Sequence, residues 1–168
     1  MTKPLSNAAN ARAFEIYIRA SAQAIWDAIT SPDWTARYGH RALHYYELRA
    51  GGRFTAKAND GMKAIGLPEI IIDGEVLEAD APRQLVQTFR FLFTEANRSE
   101  GYAKLTWTIE PKAGGFCRLA IFHEFGTGDM PLMESAITSP FNDHAGGGWN
   151  WILSDLKSVL ETGHALVA

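Results

Sequence analysis

From residue 13 onward the chain alternates between apolar and polar positions. Residues 13–20 place Phe14, Ile16 and Ile18 on one face, with Glu15, Tyr17 and Arg19 on the other, the pattern of a half-buried strand. The period then changes. Ser21 is suited to cap a short helix over 22–30 in which Ile25, Trp26 and Ile29 share a face. Ser31-Pro32-Asp33 stops that helix and starts a second short one running to Tyr38. Strand composition returns over 42–48, 52–58, 69–79, 84–93, 102–110 and 116–125. Ala50-Gly51-Gly52, Asn59-Asp60-Gly61, Asp80-Ala81-Pro82-Arg83 and the stretch 111–115 supply turns between them. These connections are too short for parallel crossovers, so they predict an antiparallel meander. Residues 129–139 read as an irregular loop.

The end of the chain returns to a helical period. Ser139-Pro140 is a start signal. Trp149, Leu153, Leu156 and Leu160, with Ile152 and Val159 beside them, form one broad apolar face. Gly146-Gly147-Gly148 lies inside this predicted helix, where each glycine costs about 1 kcal/mol relative to alanine. The expectation is a helix thinned or kinked at its N-terminal half to leave room for a cavity. A long antiparallel sheet must cover one apolar face, and this helix is the only large cover in the pattern. The predicted class is therefore α+β: a helix-grip arrangement with a curved antiparallel sheet of six to seven strands wrapped on a long C-terminal helix, and two short helices after the first strand. Residues 1–12 read as a flexible tail and 13–168 as one domain.

Composition narrows the function classes. At 168 residues, with 46% hydrophobic and 21% charged positions, the chain suits one globular domain with its own core. A formal charge of -3 gives no basic footprint for nucleic acid or an anionic membrane. Its single cysteine, Cys117, excludes an internal disulfide and a zinc-thiolate cluster and reads as a core residue. No apolar run is long enough to span a bilayer, and the N-terminal residues lack the apolar segment of a signal peptide. The expected location is cytoplasmic.

Several pieces, in order, carry a family resemblance. Phe14 to Ser21 followed by Ile25 to Pro32 is similar to the first strand and helix of SRPBCC proteins, the superfamily that includes START domains and the birch-pollen-allergen fold. Within it, Gly51-Gly52-Arg53-Phe54, the run from Gly74 to Leu85, Phe122-His123-Glu124-Phe125 and Gly148-Trp149 leading into Leu153 and Leu156 resemble the activator of heat-shock protein 90 ATPase homologue group. Pro82 matches that group's turn proline, with Ala81 before it as a departure. The segments 61–70 and 126–139 have no counterpart in the pattern. The resemblance implies a cavity between sheet and helix, used for hydrophobic ligands in many members; one fold hosts many functions, so it implies no shared reaction.

Candidate chemistry is sparse. The five histidines form no metal motif, no nucleophile elbow is present, and Gly146-Gly147-Gly148 lacks the strand and lysine of a phosphate loop. Asp143 suits the positive end of the predicted helix, with His144 solvated beside it. If Leu119, Ile121, His123 and Phe125 share a strand face, His123 projects inward, either as a satisfied core residue or as a polar handle in a pocket. The expected cavity wall is Phe54, Phe91, Trp107, His123 and Phe125 from the sheet with Phe141, Gly148 and Ile152 from the helix; Trp34 and Met62 are expected at the mouth. No catalytic residue, metal or cofactor is assigned. The favoured function is binding of a hydrophobic small molecule. The alternatives are an enzyme of the cyclase, dehydratase or hydrolase type using His123 and, implied by the resemblance alone, a chaperone-ATPase module. Trp151, placed opposite Trp149 with Leu132 and Met133 nearby, suggests a homodimer contact.

Overall fold

A computed structural model describes residues 10–143 and 145–167; most of the expected tail (1–9) and His144 lie outside the described residues. Seven strands form one antiparallel sheet: β1 (Ala11–Ile18), β2 (Leu43–Tyr46), β3 (Arg53–Lys57), β4 (Ile70–Asp80), β5 (Gln84–Phe91), β6 (Ala103–Lys112) and β7 (Phe116–Glu124). Their spatial order is β1-β7-β6-β5-β4-β3-β2. Consecutive strands from β2 to β7 are neighbours, and β1 closes the far edge against β7. The first strand begins at Ala11, two residues inside the predicted tail, because Ala11 and Arg12 pair with Glu124 and His123.

The alternation has a direct structural consequence. The pairs Phe14↔Ile121, Ile16↔Leu119 and Ile18↔Cys117 continue across to Trp107↔Ile121 and Leu85↔Trp107, so one apolar row crosses four strands. Register shifts at Ala56/Lys57 and Val76/Glu78 interrupt the ladders of β3–β4 and β4–β5, and such irregularities add local bend and twist.

Helices α1 (Ala22–Thr30) and α2 (Pro32–Thr35) follow β1, and α6 (Gly148–Thr162) covers the inner face. The Ser21 hydroxyl accepts from the Ala24 N–H at 3.1 Å, so the predicted cap of α1 is formed. Trp149, Leu153, Leu156 and Val159 are buried along α6. The end of α6 is fastened to β1: Lys157 Nζ donates to the Tyr17 carbonyl at 2.7 Å, and Glu161 Oε1 accepts from the Arg19 N–H at 2.9 Å.

Three further helices fall outside the sequence pattern: α3 (Asp60–Ala64), α4 (Glu95–Glu100) and α5 (Pro131–Thr138). The last replaces most of the loop expected over 129–139. Its first N–H groups are satisfied from afar: the Glu100 carboxylate accepts from Leu132 N at 2.7 Å and Met133 N at 2.9 Å, an anion at the positive end of a helix.

The glycine triplet also differs from expectation. Gly146, Gly147 and Gly148 have φ of 85°, 87° and 52°. They make a left-handed turn that ends where α6 begins, so they do not thin or kink a helix. A Cβ on Gly148 would stand 2.0 Å from the Ile137 carbonyl oxygen, and one on Gly147 would stand 2.3 Å from Trp151 Cβ. The triplet is needed for a close backbone approach of α6 to the end of α5 in a conformation that L-residues avoid.

His123 sits at the centre of this assembly, fully buried. Its Nδ1 accepts from the Trp149 indole N–H at 3.1 Å. That leaves the proton on Nε2, which faces Met133 Sδ at 3.1 Å. One imidazole thus ties β7 to both α6 and α5.

Two outcomes follow from these contacts. Gly148→Ala should destabilise the fold by at least about 2 kcal/mol, since strain and a backbone clash act together. Urea unfolding checks this against Gly128→Ala, whose Cβ meets nothing within 4 Å and should be neutral. The second outcome concerns acid. Burial pushes the His123 pKa down to about 3 from its ordinary 6.5, so the unfolded chain binds a proton that the folded chain refuses. Its contribution is complete above about pH 6.5 and is lost as pH falls toward 3, with a slope of at most about 1.4 kcal/mol per pH unit. Denaturant titrations across that window should show a shallower acid dependence for His123→Gln than for the parent; equal slopes would refute the assignment.

Candidate functional site

A cavity of about 770 Å³ lies between the inner face of β4 and β5, the N-terminal half of α6, α5, α3 and the loop joining α2 to β2. The leucine half of α6 takes no part: Trp149, Trp151, Ile152 and Asp155 border the space, whereas Leu153, Leu156 and Val159 do not. The floor is aromatic. Phe89 meets Phe91 edge to face at 5.1 Å, Phe91 stacks on Phe93 at 4.8 Å, and Trp107 meets Trp149 edge to face at 5.3 Å. The mouth is rimmed by exposed residues from separate segments: His40 and Arg41, Ile65 after α3, Phe141 and Asp143, and Val167.

Of the ten residues expected at such a site, Met62, Phe91, Trp107, Phe141, Gly148 and Ile152 border the cavity. Phe141 does so from the loop before α6, not from the helix itself. Trp34, Phe54, His123 and Phe125 are elsewhere. Trp34 lies under the Arg37 guanidinium, 4.4 Å from its centroid. Phe54 is sealed between Tyr46, at 4.5 Å, and Phe89, at 6.3 Å. Phe125 packs on the His123 ring at 5.4 Å. His123 spends both nitrogens on Trp149 and Met133 and has no edge left for a ligand.

The expected dimer patch is also rearranged. Trp151 stacks on Phe141 at 4.2 Å and borders the cavity, and Met133 is buried against His123, leaving Leu132 as the exposed member of the three.

Polar groups around the cavity are few and mostly satisfied. The Tyr38 hydroxyl donates to the Ala28 carbonyl at 2.8 Å. Asp155, buried in α6, accepts from Gly39 N at 2.8 Å and Leu166 N at 2.7 Å. Asn59 accepts from Met62 N at 2.9 Å and donates to the carbonyls of His40 and Arg41 at 3.3 and 3.2 Å. Ser139 donates to the Ala136 carbonyl at 3.3 Å. Arg41, at φ 59°, donates to the Val167 carbonyl at 2.7 Å and holds the terminal segment over the mouth.

Two groups stand apart. The Trp107 indole N–H is buried without a hydrogen-bond partner among the described residues, and native structures leave few such donors unpaired. His44 borders the cavity half-buried, and no hydrogen bond reaches its ring nitrogens within the described residues. Desolvation lowers its pKa to about 4, so its imidazole is neutral at ordinary pH. His44 is not among the residues expected at the site from the sequence. The signal was present: in strand period, Ala42, His44 and Tyr46 share a face, the one that meets the core.

Among the described residues no group of three or more His, Cys, Asp or Glu side chains is placed to hold a metal ion. No helix there is long and apolar enough to cross a membrane.

Comparison with known proteins agrees with this architecture. Curated protein sequences give no match. Among solved structures, CalU16 from Micromonospora echinospora superposes with a TM-score of 0.62 at 17% identity, covering 91% of this chain and 77% of that one. PFC0360w, described as an HSP90 activator from Plasmodium falciparum, gives a TM-score of 0.55 at 16% identity over 94% and 91% of the two chains. The Aha1 dimer from Colwellia psychrerythraea gives 0.59 at 15% identity over 91% and 97%. At these identities the likeness is one of fold. The sequence pattern of the family described as Activator of Hsp90 ATPase homolog 1-like protein matches residues 19–161; the chain belongs to that family.

Proposed function

We propose that this protein binds a small, largely apolar molecule in the cavity between β4, β5 and the N-terminal half of α6. The cavity itself carries the reading. Its volume of about 770 Å³ falls within the roughly 300–1,000 Å³ of small-molecule sites, and a mainly apolar wall with a few placed polar groups is their usual make-up. The aromatic floor suits a flat or ring-bearing ligand. An enzymatic reading through His123 has no support in the geometry, because that ring is enclosed and doubly engaged. The HSP90-activator description belongs to the Plasmodium neighbour and the dimer to the Colwellia one; neither points to a surface of this chain.

The test is a thermal-shift and native mass-spectrometry screen with fatty acids, sterols and planar aromatics, followed by titration of tryptophan fluorescence. Trp107, Trp149 and Trp151 all border the cavity, so occupancy should quench or shift their emission. A ligand at one hundred times its Kd should stabilise by about 2.7 kcal/mol, or roughly 5–10 °C in Tm for a domain of this size. Ala136→Trp adds bulk at a bordering position and should weaken binding at least tenfold while the protein stays folded. Absence of any stabilising compound, or undiminished binding to the filled variant, would refute the proposal.

A further inference from the structure

We infer that His44 is the polar anchor of this cavity and that it selects an uncharged, hydroxyl-bearing aromatic ligand over its carboxylate or unsubstituted counterparts. This rests on the binding reading above and adds the chemistry of the ligand.

Most polar side chains at the cavity are committed to the protein: Tyr38 to Ala28, Asp155 to Gly39 and Leu166, Asn59 to the backbone around it, while Asp143 stands at the exposed rim. Thr35 is spent on positioning: its buried hydroxyl donates to the Pro32 carbonyl at 3.4 Å and accepts from the His44 backbone N–H at 3.0 Å. Behind His44, Tyr46 donates to Gln87 Oε1 at 2.9 Å, a closed pair in the core. The His44 ring is held edge-on against Phe54 at 5.7 Å and Tyr46 at 6.5 Å. It is therefore a fixed ring bordering open space with both nitrogens uncommitted. His40 also borders the cavity, but at its exposed rim, open to solvent.

A neutral imidazole presents one acceptor and one N–H donor. A hydroxyl group, which both donates and accepts, can satisfy it; an unsubstituted hydrocarbon leaves its nitrogens without partners. A carboxylate fits less well. To reach His44 it would leave water without a fixed cation to meet it, because the Arg41 guanidinium lies at the exposed rim and is tied to the Val167 carbonyl. The aromatic floor of Phe89, Phe91 and Trp107 supplies the planar contact. The Trp107 N–H behaves differently, being a donor alone, so it cannot tell a hydroxyl from a carboxylate.

Naphthalene, 2-naphthol and 2-naphthoate, titrated at neutral pH by tryptophan fluorescence and calorimetry, separate the outcomes. The parent protein should bind 2-naphthol about tenfold more tightly than naphthalene, the worth of one hydrogen bond that rescues a buried polar group, and more tightly than 2-naphthoate. Binding of 2-naphthol should also shift the ring resonances of His44. His44→Phe keeps the ring packing against Phe54 and should bind naphthalene at least as well as the parent while losing the preference for 2-naphthol. His44→Gln restores an acceptor and a donor and should recover part of that preference. Equal parental affinity for naphthalene and 2-naphthol, or a preference that survives in His44→Phe, overturns the His44 assignment and leaves the cavity reading intact. Tighter binding of 2-naphthoate overturns the ligand class. If none of the three binds while another apolar compound from the screen does, the assignment to an aromatic ligand fails alone; if nothing binds at all, both readings fall.

Discussion

The attachment of α6 to the sheet turns on one imidazole. His123 faces inward from β7, accepts from the Trp149 indole at 3.1 Å and sets its other nitrogen against Met133 at the same distance. Apolar contacts alone are non-directional and would let α6 slide or roll over the strands beneath it. A buried hydrogen bond is directional, and breaking it would strand two polar groups away from water, each at about 1–3 kcal/mol. The bond therefore fixes the height of Trp149 over the sheet, and with it the wall that Trp149 presents to the cavity. Because Met133 belongs to α5, the same ring sets the spacing of both helices.

That spacing explains the glycine turn. Once Trp149 and Met133 are both drawn to His123, the start of α6 and the end of α5 must meet backbone to backbone. The 2.0 Å that would separate a Gly148 Cβ from the Ile137 carbonyl oxygen measures how little room is left. The cavity then lies to one side of the junction, where α6 bears Trp151, Ile152 and Asp155. Asp155 does a second piece of positioning there. Buried on α6, it accepts from Gly39 before β2 and from Leu166 after the helix, so the loop and the terminal segment that rim the mouth are held by one carboxylate.

Strand periodicity and turn chemistry made most of this fold legible in the sequence. Seven strands, two short helices and a covering helix all follow from alternation in segments such as 102–110 and from the Ser21 cap. What stayed hidden shares a cause: it depends on partners distant in the chain. Helix α5 has no capping side chain of its own, since Met130 makes no such bond, and its N-terminus is satisfied by Glu100, some thirty positions earlier. The glycines read as helix interior because the period of Trp149, Leu153 and Leu156 extends back across them unless the contact with Ile137 is known. Trp151 is half-buried, as its position opposite Trp149 on the helix implies, but only the fold of 141–146 brings Phe141 over it.

The two histidines show why the site was harder to read than the fold. Strand parity says that a residue faces inward; it does not say whether what it meets is side chain or empty space. His123 and His44 both satisfy the parity rule, and both are neutral because burial depresses their pKa values, to about 3 and about 4. They differ in what surrounds them. His123 lies where two helices converge, so its nitrogens find Trp149 and Met133. His44 lies on the short β2 at the sheet edge, where α2 meets its backbone through Thr35 but no side chain among the described residues meets its ring nitrogens. A curved sheet and a straight helix stay in contact over only part of their length, and past that length an inward-facing polar ring borders empty space. The position of His44 beyond the end of that contact, not its residue type, is what leaves its ring free for a ligand.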